Sequence, residues 1–112
     1  MLINYKYKKV EKQCESLKQA KKYLPEKVAK KLINRINFIK SSENLASVIS
    51  FRPLRFHSLR GDKKGFYAMD IDGKKCEYRI ISTFDGYKRE QVFTESKSIT
   101  IIEITEVSKH YE

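Results

Sequence analysis

The chain has 112 residues, 40% hydrophobic and 34% charged, which fits one globular domain over residues 1–112 and excludes a disordered chain. No run approaches the ~18 consecutive apolar residues of a membrane span, and no apolar leader core precedes the first lysines, so a cytoplasmic protein without a membrane partner is expected. The 24 Lys and Arg outnumber the 14 Asp and Glu, and the net charge of +10 favours a polyanionic partner through steering and counterion release.

That charge is uneven: residues 1–64 carry 17 basic against 5 acidic side chains, and residues 65–112 carry 7 against 9. RNA, DNA, anionic lipid and an acidic protein would all suit the basic half. Cys14 and Cys76 lack a second cysteine or a histidine at metal-ligand spacing. No metal and no cofactor are therefore expected.

Residues 2–8 alternate and suit a short, partly exposed strand. From Val10 the period becomes helical, with Val10, Cys14, Leu17 and Leu24 on one side and lysines on the other. Pro25 ends that helix and opens the next, with Glu26 in its first turn. Val28, Leu32, Ile36 and Ile39, widened by Ala29 and Ile33, form the second apolar stripe. The two stripes predict an antiparallel helical hairpin with a basic outer surface. Residues 41–44 break the pattern, and Ser42 is placed to cap a short turn through Leu45, Ala46 and Val48.

After Ser50 the texture becomes β. Residues 54–59 alternate, with Arg55, His57 and Leu59 on one face, and a charged loop follows at residues 60–65. A strand over 66–71, an Asp72-Gly73 turn and a return strand over 75–84 predict a hairpin. Residues 85–98 suggest a long polar loop, with Gln91-Val92-Phe93 able to pair briefly. Residues 99–107 are apolar enough on both faces for an interior strand. The fold class is α+β, with an N-terminal strand and a two-helix hairpin packed on one face of an antiparallel sheet. The opposite face is left open as a site.

The run Phe56-His57-Ser58-Leu59-Arg60-Gly61-Asp62-Lys63-Lys64-Gly65-Phe66-Tyr67-Ala68-Met69-Asp70 resembles the signature of the plasmid-maintenance killer family. That family includes the HigB toxins and belongs to the RelE/ParE superfamily. Its typical run is His-Pro-Leu-Lys-Gly-Asp-Arg-Lys-Gly, followed by an aromatic, Ala, an aliphatic residue and Asp. Glu77-Tyr78-Arg79-Ile80-Ile81 and the run from Ile101 to Val107 resemble its later strands. Ser58 stands where the family has Pro, and the family's terminal Asp-Tyr-His is replaced by Lys109-His110-Tyr111.

The resemblance implies a RelE-like fold and a type II toxin that cuts mRNA on the ribosome without a metal. It also implies a helix-turn-helix (HigA-like) antitoxin partner, with operator DNA reached only through the antitoxin complex. Two other functions suit the same fold: a ParE-like gyrase poison, and a non-catalytic RNA- or ribosome-binding module.

Metal-free RNA cleavage needs a base for the 2′-hydroxyl, cationic stabilisation of the phosphorane-like charge, and an acid for the leaving oxygen. His57 is the first candidate for proton transfer, and it also suits a half-buried sheet histidine. Arg79 is the candidate for phosphate stabilisation, because its parity opposes Cys76, Tyr78 and Ile80 and points it to the open face. A structural ion pair with Glu77 or Asp70 is its other possible role. His110 and Tyr111 are candidates for acid, base or stacking platform. Arg55, Arg60, Lys63 and Lys64 are candidates for gripping phosphates, or a solvated turn. Parity groups Tyr67 with Met69 and Ile71 in the core.

Overall fold

The computed structural model describes residues 1–109, so His110 and Tyr111 lie outside the described residues. The N-terminal alternation forms β1 (Leu2–Tyr5). The first helical stripe is not one helix but two, α1 (Lys8–Glu15) and α2 (Leu17–Tyr23), broken at Ser16. Ser16 is extended, ends α1, and caps α2 by accepting a hydrogen bond from the Gln19 amide at 3.3 Å. A serine hydroxyl that satisfies a free helix N–H makes such a break inexpensive. Val10, Cys14 and Leu24 are buried as the stripe requires, joined by Ala20, whereas the break turns Leu17 out to solvent.

Helix α3 (Glu26–Ser41) starts after Pro25 and buries Val28, Ala29, Leu32, Ile36 and Ile39, the stripe read from the sequence. It folds back against both α1 and α2. The short helix α4 (Leu45–Ser50) is capped by Asn44, not Ser42: the Asn44 side chain accepts from the Ser47 amide at 3.3 Å.

The remaining strands are β2 (His57–Ser58), β3 (Tyr67–Asp70), β4 (Tyr78–Thr83) and β5 (Ile101–Lys109). They join β1 in one sheet of order β1-β5-β4-β3-β2. The expected all-antiparallel sheet is corrected to a mixed one, because β1 runs parallel to β5. β5 lies inside the sheet, paired on both sides.

The alternating strand expected over 54–59 shrinks to β2, because Arg52–Leu54 winds into a 3-10 turn that Arg55 ends in the left-handed region at φ 43°. The link between β3 and β4 is wider than a two-residue turn. Gly73, at φ 81°, supplies its sharp bend. The stretch expected to be a loop contains α5 (Arg89–Thr94), which starts where the Lys88 amide donates to the Gln91 side chain at 2.8 Å.

The helices cover one face of the sheet. Leu32, Ile36, Ile39, Leu45 and Val48 pack with Tyr67, Met69, Ile80, Ile102 and Ile104 in one core. Each fully buried aliphatic side chain contributes about 1.5–3 kcal/mol. Tyr67 is core as expected: its ring centre lies 5.4 Å from Phe56 and 5.3 Å from Phe84, and burial pushes its hydroxyl pKa up. Phe93 closes on Phe56 at 5.7 Å and seats α5 on this cluster. Among the described residues, no helix is long and apolar enough to cross a membrane.

A polar clasp joins β1, α1 and α3. Glu15 accepts from the Tyr5 hydroxyl and pairs with the Lys40 ammonium. Partial burial opposes the Glu15 charge, but these two partners outweigh it and hold the carboxyl below its ordinary value of 4.5. A lowered carboxylate pKa stabilises the fold above the unfolded value, and that contribution is lost as pH falls through the folded pKa. The Glu15→Gln variant is therefore expected to lose roughly 0.2–1 kcal/mol at pH 7. Chemical denaturation at stepped pH checks this, and the two stability curves should converge at strongly acidic pH.

Candidate functional site on the open sheet face

The sheet register sorts the other face into cross-strand rows. His57, Ala68, Ile81 and Glu106 form one row, and Asp70, Arg79 and Ser108 form the next. In the other direction Leu59 and Phe66 pack with Ala68 and Ile81 in a small apolar cluster. Beyond it, Thr83, Glu103 and Asn4 make a further row.

Asp70 is the organising group. It is 2% exposed in a strand whose four residues are all buried. A carboxylate there demands cationic partners, because its desolvation is otherwise prohibitive. Arg55 donates to it through Nε at 3.0 Å and Nη2 at 3.2 Å, a fork that meets both carboxylate oxygens. Arg79 approaches from the other side, with its Nε 2.9 Å from Oδ1.

The structure puts Arg79 on the open face, as parity indicated, but commits its guanidinium to structure. It is 6% exposed. Its Nη1 donates to the carbonyls of Cys76 and Tyr78, and its Nη2 to that of Lys74 at 2.7 Å. These bonds explain the wide β3–β4 link, since one buried guanidinium collects the carbonyls of the loop. Arg55 differs: its side chain is 39% exposed, the one guanidinium of the cluster that still meets solvent.

His57 joins this cluster through the backbone of Arg55 and not through strand alternation. Its Nδ1 lies 2.7 Å from the Arg55 carbonyl oxygen. A carbonyl only accepts, so Nδ1 donates, and the tautomer able to act as a base is the one with its lone pair on Nε2. Nε2 is buried and has no hydrogen-bond partner among the described residues. An unsatisfied buried polar atom costs about 1–3 kcal/mol, and such atoms call for a specific explanation.

The structure therefore brings Arg55 and Arg79 together on Asp70, with His57 held to the Arg55 carbonyl. Sequence reasoning named Asp70 as a possible ion-pair partner of Arg79, which it is, but missed its role in organising Arg55. Its signal was an acid within the apolar run Tyr67-Ala68-Met69-Asp70-Ile71. Arg60, Lys63 and Lys64 stand apart, in the loop beyond the opposite end of β2. Arg60 and Lys64 are exposed there, and the Lys63 ammonium sits 5.9 Å from the centre of the Phe66 ring. His57 lies between the ion-pair cluster and this basic loop. The proposed roles of His110 and Tyr111 fall outside the described residues.

The five-stranded mixed sheet with helices packed against one face is an α+β fold consistent with that of the RelE/ParE toxins. Among solved structures, the chain is similar to a YoeB/ParE toxin from Agrobacterium tumefaciens, with 14% sequence identity and a TM-score of 0.54 over 99% of this chain and 100% of that one. No protein-family model and no curated protein matches the chain.

The Asp70 cluster makes a quantitative demand on stability. Asp70→Ala and Arg79→Ala each strand buried charge or carbonyls, and each is expected to destabilise the fold by about 3–5 kcal/mol. Together with Asp70→Ala/Arg79→Ala they form a cycle in urea denaturation. The double variant should cost less than the sum of the singles by roughly 1–3 kcal/mol. Strict additivity would mean that the two groups do not depend on each other.

Proposed function

We propose that the protein is the toxin of a type II toxin–antitoxin pair, of the HigB type, and that it cuts mRNA on the ribosome without a metal. The observation that carries this reading is the joining of a one-sided imidazole to a solvent-facing guanidinium on the open sheet face. The likeness in fold to a YoeB/ParE toxin supports the toxin class, and the net charge of +10 suits an RNA partner.

In this mechanism the 2′-hydroxyl of the RNA loses its proton to His57 Nε2 and attacks the adjacent phosphorus. Arg55 neutralises the charge that builds on the phosphorane-like oxygens, using the guanidinium edge that Asp70 leaves unused. Asp70 and Arg79 are positioning residues: Asp70 orients Arg55, and Arg79 holds Asp70. The leaving 5′-oxygen takes a proton from His110 or Tyr111. Arg60, Lys63 and Lys64 grip the phosphate chain next to the scissile bond. His57 Nε2 is closed to solvent in the free protein, so engagement of the substrate must uncover it. Exposed lysines of α2 and α3, such as Lys18, Lys22 and Lys30, dock on ribosomal RNA through a salt-sensitive, sequence-independent attraction. The antitoxin is a small helix-turn-helix protein, and operator DNA is met only through that complex.

One observation favours a second reading. The structural commitment of Arg79 removes a cation from the chemistry, which suits a gyrase poison that needs no acid–base pair. Induced expression separates the two. The wild type is expected to arrest growth and create new RNA 5′ ends within translated frames. Arg55→Ala/His57→Ala should lose the new ends by 100-fold or more, the range expected for removing a general base, while its circular dichroism stays native. Growth arrest without new ends would move the assignment to the gyrase poison or to passive ribosome blocking.

A further inference from the structure

At the far end of the open face a cavity of about 700 Å³ lies between the Thr83–Glu103–Asn4 row and the segment Asp85-Gly86-Tyr87. Its walls combine two carboxylates, Asp85 and Glu103, with the Asn4 amide, the half-exposed Tyr87 ring and the exposed apolar side chain of Ile101. Glu103 already accepts from the Thr83 hydroxyl at 3.3 Å. Asp85 forms no ion pair or side-chain hydrogen bond among the described residues.

This lining repels phosphate. It suits a flat, neutral group that brings hydrogen-bond donors to a carboxylate and a face to an aromatic ring. Of the nucleobases, guanine alone presents two adjacent donors, N1–H and N2–H, that match both oxygens of one carboxylate. Adenine and cytosine present one amino group beside an acceptor, which faces the same carboxylate unfavourably. Uracil presents one imide N–H. Base stacking on Tyr87 adds affinity without choosing among bases.

The position also fits. Thr83 lies two residues along β4 from Ile81, which shares the row of His57. Glu103 pairs with Thr83 from the next strand, so the pocket lies about 7 Å along the strands and about 14 Å across three strand spacings from His57, a separation that two to three nucleotides of an extended strand can span. The basic loop of Arg60 and Lys64 stands at the same end of the sheet. We propose that the Asp85–Glu103–Tyr87 pocket holds an unpaired guanine of the RNA and sets the sequence preference of cleavage. The proposal rests on the RNA-cutting reading for its biological role, but base binding is measurable without cleavage.

The test is amide chemical-shift mapping on the ¹⁵N-labelled full chain, titrated with guanosine, inosine and uridine 5′-monophosphates. A 2′-O-methyl trinucleotide with guanosine in the middle, which cannot be cut, is the fourth probe. Guanosine monophosphate is expected to shift residues 83–87 and 100–103. Inosine monophosphate, which lacks the N2 amino group, should bind roughly tenfold more weakly, as expected for one charged hydrogen bond. Asp85→Asn, an exposed substitution that leaves the core untouched, should erase the preference for guanosine over inosine. The trinucleotide should bind more tightly than the monophosphate and also shift His57.

Equal binding of guanosine and inosine, no shift at residues 83–87, or an unchanged preference in Asp85→Asn would overturn the guanine pocket. A monophosphate that binds while the trinucleotide does not would overturn RNA as the source of the base. Shifts produced by arginine amide but not by guanosine would overturn it in favour of a partner protein's cation. Guanine binding with the expected selectivity in a chain that makes no new RNA ends would support the pocket and sink the nuclease reading.

Discussion

A carboxylate buried at the end of an interior strand sets the terms for everything around it. Asp70 is almost entirely removed from water, and a lone charge there would carry a penalty of several kcal/mol. The chain answers with two guanidiniums from different directions, Arg55 from the turn before β2 and Arg79 from β4. Each arginine then imposes local structure of its own. Arg79 gathers the carbonyls of Lys74, Cys76 and Tyr78 and so shapes the link between β3 and β4. Arg55 adopts the left-handed backbone region, which lets its side chain reach Asp70 while its carbonyl faces the His57 ring. A non-glycine residue there costs of order 1 kcal/mol or more, offset by the two charged hydrogen bonds that the conformation permits.

This cluster holds two positive charges against one negative, so it presents a net cation on the open face. The far end of the same face, with Glu103 and Asp85, is acidic. At that end the acidic pocket lies across the sheet from the basic loop of Arg60 and Lys64, so a phosphate is attracted to the β2 side of the face and repelled from the β1–β5 side. A single-stranded polyanion laid along it is oriented by that field, which acts at a range of about 8–10 Å at ordinary ionic strength. The helix-covered face carries most of the excess lysine, and there the attraction has no preferred direction.

Much of the fold was legible because it rests on short-range periodicity. The stripe of Val28, Leu32, Ile36 and Ile39 is the buried face of α3, and the parity of Arg79 against Tyr78 and Ile80 put it on the right side of β4. What failed was of another kind. The helix expected from Val10 to Leu24 breaks because one hydroxyl, on Ser16, caps a new start, and the apolar period runs on almost unchanged through the break. The parallel pairing of β1 with β5 joins the two ends of the chain, and alternation along one strand says nothing about the direction of its neighbour. Helix α5 was hidden because its start uses Gln91 in place of the usual small polar cap, and its anchors, Val92 and Phe93, are two adjacent residues with no visible period. The grouping of Arg55 with His57 had a true outcome for the wrong reason: the chain turns between them, and a carbonyl, not a shared strand face, brings them together.

The site itself turns on which arginine is free to act. Sequence parity cannot separate a guanidinium that faces a substrate from one that faces its own loop, since both point the same way. Burial and partners separate them. Contact of Arg79 with a phosphate would require giving up carbonyl bonds and the company of Asp70, and leaving those groups buried and unpaired costs about 1–3 kcal/mol apiece. Arg55 gives up nothing, because the fork that holds Asp70 leaves one edge of its guanidinium toward solvent. In the proposed mechanism Arg79 thus belongs to the frame and Arg55 to the working surface. The carboxylate that binds both is what lets a small sheet aim one charge outward while it buries the other.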